Sequence, residues 1–186
     1  MDRFMIHLQN INHSPKDAHE ILLKSRTISD KMDVTIRDCR ISSKYIELDV
    51  SIPEIFLEKL IEKFVSIGEL DHARHIVDER ITKEKLIEDG KFYFNNERFW
   101  ECHEAFEDVW KQTSGDEKEL VNGLILVAAG LVHYQKDENS VCISIFNRAL
   151  KLLKGKSGLY NEINIDSVKS NVVNMIEKNK ISIFTL

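Results

Sequence analysis

The octapeptide YIELDVSI, residues 45–52, decides how the first half of this chain is read. Ile46, Leu48, Val50 and Ile52 alternate with Glu47, Asp49 and Ser51. A strict period of two is what a strand with one buried face requires. Upstream, SSK (42–44) makes a turn, and Val34 and Ile36 open the preceding strand. Earlier still, Phe4, Ile6 and Leu8 alternate with Met5, His7 and Gln9 in a first strand. Between them Ser14-Pro15 opens a helix carrying Ala18, Ile21, Leu22 and Ile28, with serine as cap and proline in the first turn. Downstream, Pro53 starts a second helix with Ile55, Phe56, Leu60, Phe64 and Val65; Gly68 ends it, and a weaker strand follows at 73–78. The order βαββαβ predicts a ferredoxin-like module over residues 1–79. RNA-binding proteins with this order stack bases on aromatics of the open sheet face. Here Glu47 and Asp49 project from that face and would repel phosphates, so the better expectation is a regulatory or dimerising module.

Near residue 80 the period becomes helical. Thr82 caps a helix through Phe94, Asn95 or Asn96 begins a second through Lys111, and TSGD (113–116) breaks it. A third helix, almost wholly apolar, runs to Lys136; a fourth follows DEN (137–139) to Gly155, and a last one spans 167–177. Short connections predict an all-α up-down helical bundle over 80–186, hence an α+β protein of two domains. The tail ISIFTL is apolar enough to dock.

Bulk properties narrow the function classes. The chain has 186 residues, 42% hydrophobic and 31% charged, as globular proteins do, and its net charge of −5 offers no field for nucleic acid or anionic lipid. LVNGLILVAAGLVHY (120–134) is shorter than the ~20 residues of a bilayer span. No membrane association is expected. Cys39, Cys102 and Cys142 are widely spaced, which points to reduced thiols packed in a core and a cytoplasmic setting.

FWECHEAFEDVW (99–110) carries the candidate chemistry. On a helix Trp100, His103, Glu104, Glu107 and Trp110 share a broad stripe beside a second, apolar stripe of Phe99, Cys102, Phe106 and Val109. His103-Glu104-x-x-Glu107 is one ligand short of the H-E-x-x-H of zinc peptidases: His103 and Glu107 could hold a divalent metal, with Glu104 as general base. His133 is too far along an antiparallel neighbour to complete that set, by roughly 12 Å at 1.5 Å per residue. Counting across the next turn instead brings Arg148 level with the stripe, as a partner for Glu104 or Glu107. His133 itself reads as a satisfied core histidine, where Gly123 and Gly130 allow close helix approach.

FNNERFWECHEAFEDVW, GLILVAAGLVHY and EN together resemble the family catalogued as domain of unknown function 309, over residues 85–155. The matching positions are Glu101, His103, Glu104, Glu107, Trp110, Gly123 and His133; Cys102 stands for the family's alanine and Leu126 for its glutamine. The resemblance implies an all-helical bundle and no established activity.

The expectation is a binding or regulatory protein, a homodimer, with a polar cluster of His103, Glu104, Glu107 and Arg148 flanked by Trp100, Glu101, Trp110 and His133. A small-molecule ligand could use that cluster, and no cofactor is expected. The alternative is a metal-dependent hydrolase at His103, Glu104 and Glu107. No nucleophile accompanies it, since Cys102 points about 100° from His103 on a helix.

Overall fold

In a computed structural model, residues 1–77 and 81–186 are described. The expected end of the last strand at Asp78 and the domain boundary at 79/80 fall outside them. Contacts divide the chain into two compact units, Met1–Glu79 with Gln135–Asp137, and Arg80–Tyr134 with Glu138–Leu186.

The first unit is an antiparallel sheet with helices. β1 (Asp2–Gln9), β2 (Thr35–Ile41), β3 (Tyr45–Ile52) and β4 (Leu70–Ile76) lie in the order β2-β3-β1-β4. Helix α1 (Ala18–Ile28) joins β1 to β2, and α2 (Leu57–Phe64) joins β3 to β4. Phe4, Ile6 and Leu8 of β1 pair with Val50, Leu48 and Ile46 of β3. All six belong to one buried cluster with Ile21, Leu60 and Phe64 of the helices. The period of two therefore aims one face at the helices, as alternation of Cβ directions requires.

The opposite face departs from expectation. Glu47 and Asp49 are only 4% and 3% exposed, and both are paired. Arg3 grips Asp49 with two hydrogen bonds of 3.0 and 2.7 Å. Arg40 donates to Glu47 and lies 3.2 Å from Asp38, and His7 meets Glu47 at 3.0 Å. Burial works against the Arg40 charge, but Glu47 and Asp38 outweigh it and hold that guanidinium above its usual range. These acids are neutralised in place rather than offered outward, because a buried carboxylate is tolerated only beside a cation. Ile55 and Val65, assigned to the second helix, flank α2 rather than lie within it and are 83% and 61% exposed.

The second unit contains α3 (Lys83–Asn95), α4 (Phe99–Lys111), α5 (Gly115–Tyr134), α6 (Asn139–Leu152) and α7 (Ile165–Lys178), with β5 (Leu159–Tyr160) and β6 (Ile163–Asn164) as a small hairpin. The Thr82 hydroxyl accepts from the Lys85 amide, capping α3 as expected. α4 begins at Phe99 rather than Asn95 or Asn96. The Asn96 side chain donates back to the Phe92 carbonyl at 2.9 Å, and Glu97 takes a φ of 60°, so these residues close α3 instead of opening α4.

Gly123 of α5 faces Leu153, and Gly130 faces Phe146 of α6. Seven residues forward on one helix match seven back on the other, so α5 and α6 run antiparallel. The tail docks: Ile181, Phe184 and Leu186 pack against the helical core, with Phe184 edge-on to Phe94 at 5.1 Å. Among the described residues no helix is long and apolar enough to cross a membrane.

Cys39, Cys102 and Cys142 are free and buried. Burial pushes Cys39 and Cys142 up to about 12 and Cys102 well above its ordinary value. Since the thiolate is the nucleophile, a raised value leaves almost none of it at pH 8. A disulfide-exchange reagent at that pH should therefore label none of the three in the native protein within minutes, and all three in concentrated guanidinium. Rapid native labelling of one thiol would show that its burial is not maintained.

Candidate functional site

Helix α4 sorts its side chains as a three-to-four spacing dictates. Phe99, Glu101, Cys102, Ala105, Phe106 and Val109 are buried. Trp100, His103, Glu104, Glu107, Asp108 and Trp110 are half-buried along the other side. α3 is the helix packed on one flank of α4, close enough that Gly90 meets the Phe106 ring; α5 packs on the other.

His103, Glu104 and Glu107 converge. Their potential ligand atoms all lie within 4.8 Å of one another. His103 Nδ1 sits 3.2 Å from Glu104 and Nε2 sits 3.6 Å from Glu107. The imidazole is 24% exposed and the two carboxylates 45% and 46%, so the group is reachable from solvent. A neutral imidazole has one N–H for two facing carboxylates. That N–H can serve one of them, and a cation between Nε2 and Glu107 would serve the other contact while Nδ1–H faces Glu104. Glu104 would then hold Nδ1, the role an orienting carboxylate plays behind a metal-bound histidine. That differs from the general base expected of it. The donor set of one imidazole and carboxylate suits zinc, manganese or iron better than calcium.

Arg148 does not join the cluster. It is exposed on α6, and among the described residues neither Glu104 nor Glu107 has a lysine or arginine within ion-pair distance. Lys111, one turn along α4, bonds Asp108 at 2.8 Å instead. Equal depth in a bundle does not give equal azimuth: α4 packs against α3 and α5, whereas α6 packs against α5 and α7. His133 is corrected as well. Rather than a core residue it is a third exposed, and its Nδ1 meets Glu138 just beyond the helix. Trp110 is covered by the Lys118 ammonium, 3.9 Å from the ring centre.

The buried acid of the stretch is Glu101, 1% exposed and gripped by both arms of Arg98. Arg98 in turn lies over the Tyr93 ring at 4.7 Å. Sequence reasoning passed over Arg98, although its spacing of three from Glu101 was a readable ion-pair signal.

Residues 87–144 match the model of a family described as a domain of unknown function (DUF309). The match covers the helical region from α3 into α6 and bears out the resemblance read from those helices; the N-terminal sheet unit is matched by no family. No curated protein matches the chain.

Proposed function

Starting from that family match, which carries no activity, we propose that the protein works by binding. The face formed by His103, Glu104 and Glu107 takes a divalent cation, and the N-terminal unit associates with a second copy. The observation that carries the first part is the convergence of one imidazole and two half-exposed carboxylates that, among the described residues, have no arginine or lysine within ion-pair distance, Lys111 acting on them only from further off. Net attraction for a cation follows from two negative groups at close range. Binding is favoured over a hydrolase because Glu104 is engaged at Nδ1 and Cys102 is fully buried with its thiol held protonated. Two protein donors leave most of the coordination sphere open, so affinity should be moderate and exchange fast.

The strand order β2-β3-β1-β4, with a helix in each crossover, supports a ferredoxin-like reading of the first unit. The antiparallel run of α5 and α6 supports an up-down bundle for the second. Three free cysteines support a cytoplasmic setting.

Titration of untagged, chelator-free protein with manganese or zinc tests the cation reading. One equivalent should bind, at least tenfold more weakly to His103→Ala and Glu107→Gln, with circular dichroism unchanged because all three side chains reach solvent. Glu104→Gln should weaken binding less, since it removes only the orienting contact, in line with the roughly 10–100-fold effect of such partners. Wild-type protein that takes up neither ion removes the proposal.

A further inference from the structure

Helix α5 follows α4 after the short link of residues 112–114 and packs against it, so the two run antiparallel. One contact fixes their rotation: the Lys118 ammonium of α5 lies 3.9 Å from the centre of the Trp110 ring of α4. Trp110, Glu107 and His103 share one stripe of α4, and Asn122 stands one turn on from Lys118 along α5. Moving away from the contact by three residues on α4 and four on α5 advances about 4.5 and about 6 Å, which brings Glu107 and Asn122 level on the same side. Lys118 and Asn122 are both half-buried. Among the described residues no carboxylate lies within ion-pair distance of the Lys118 ammonium, and the Asn122 side chain makes no hydrogen bond. Lys111 differs, being bonded to Asp108 at 2.8 Å.

The local charge changes sign when a divalent ion enters. Without the ion, Glu104 and Glu107 outweigh the single ammonium of Lys118, and an anion is repelled. With the ion at His103 and Glu107 the balance is positive, and two cations face each other across Trp110 with nothing negative between them. The ion also keeps open positions for oxygen donors. An oxyanion placed there ligates the ion, separates it from Lys118 and accepts hydrogen bonds from Lys118 and the Asn122 amide. Phosphate fits better than a carboxylate on two grounds. Lysine binds phosphate as a point charge, whereas the carboxylate is matched by an arginine fork, and no arginine lies within ion-pair distance of Glu104 or Glu107 among the described residues. A phosphate monoester also carries about −1.5 to −2 charge at neutral pH, more than a carboxylate, so it gains more from both cations.

We propose that the cation at His103 and Glu107 is held together with a phosphate group, which bridges it to Lys118 and accepts from Asn122, and that the phosphate binds only after the cation. This rests on the cation reading above and names the class of ligand that joins it.

The test follows free manganese by electron paramagnetic resonance as untagged, full-length protein is titrated with and without inorganic phosphate. Millimolar phosphate should tighten manganese binding about tenfold, a coupling of ordinary size. By reciprocity, equilibrium dialysis should retain labelled phosphate only when manganese is present. Lys118→Met keeps an unbranched stem over Trp110 without the charge and should cut the coupling below about twofold, while Lys118→Arg should keep most of it. Acetate, the carboxylate arm, should tighten manganese by less than about threefold. Manganese binding that ignores phosphate, phosphate retained equally without manganese, or a phosphate effect undiminished in Lys118→Met overturns the inference and leaves the cation reading standing. Acetate as effective as phosphate overturns the choice of phosphate. Wild-type protein that takes up no manganese overturns both readings.

Discussion

Replacing Arg98 by methionine should lower the free energy of unfolding by about 3–5 kcal/mol, the effect of taking one partner from a buried ion pair. Glu101 is 1% exposed and Arg98 8%, and the guanidinium reaches both carboxylate oxygens. The variant leaves Glu101 without its arginine in a place where water cannot substitute, and it also loses the stack on Tyr93. Methionine fills much of the same volume, so a cavity is not the main cause. Combining Arg98→Met with Glu101→Leu should recover a large part of the loss, because an apolar pair of similar volume replaces a charged one. Urea melts of the two single variants and the double variant measure the coupling. An Arg98→Met effect below about 0.5 kcal/mol, the range of ordinary surface changes, would mean that the pair is not held in the dry interior. The half-exposed acids give the contrast: Glu104→Gln and Glu107→Gln should stay inside that range.

Gly130→Val should destabilise by about 1–3 kcal/mol through overpacking. A Cβ at Gly130 would lie 2.5 Å from Phe146 Cε1 and 2.7 Å from Cδ1. Phe146 is fully buried, so its ring cannot turn aside without disturbing the core. Valine is a slightly better helix former than glycine, by a few tenths of a kcal/mol, which is too little to compensate. The sign is therefore set by contact, not propensity. Phe146→Leu in the same chain opens room for the new methyls and should return part of the loss. Strictly additive single effects would show that the two positions are not in contact. Gly123 is expected to behave alike, since a Cβ there would lie 2.6 Å from Leu153 Cδ2.

Much of the fold was legible because it follows from local periods. Ile46, Leu48, Val50 and Ile52 occupy one buried cluster with Phe4, Ile6 and Leu8, as alternation along each strand demands. Thr82 caps its helix through an interaction spanning three residues, and such signals are complete within the local sequence. The polar stripe of α4 was equally readable: His103, Glu104 and Glu107 stand one turn or less apart, so their meeting needs nothing beyond a helix. The hairpin of β5 and β6 left no signal, two residues per strand being too short for a period.

What only the tertiary structure decided is how each element is rotated against its neighbours. Sequence placed Arg148 level with Glu104 along the bundle, but α6 packs on α5 and α7, so the side chain emerges into solvent. The same rotation chose Glu101 over Glu104 as the buried acid, turning it inward beside Cys102 and Ala105 with Arg98 as its partner. Glu47 and Asp49 were read correctly as opposite the core residues of β3, yet their burial depended on Arg40 and Arg3 arriving from β2 and β1. The physical reason is the same in each case. Hydrophobic period specifies which face is apolar, because burial is non-directional and sums along one chain segment. A charge is satisfied only by a particular atom a few ångströms away, and that atom is delivered by another element whose azimuth no local pattern encodes.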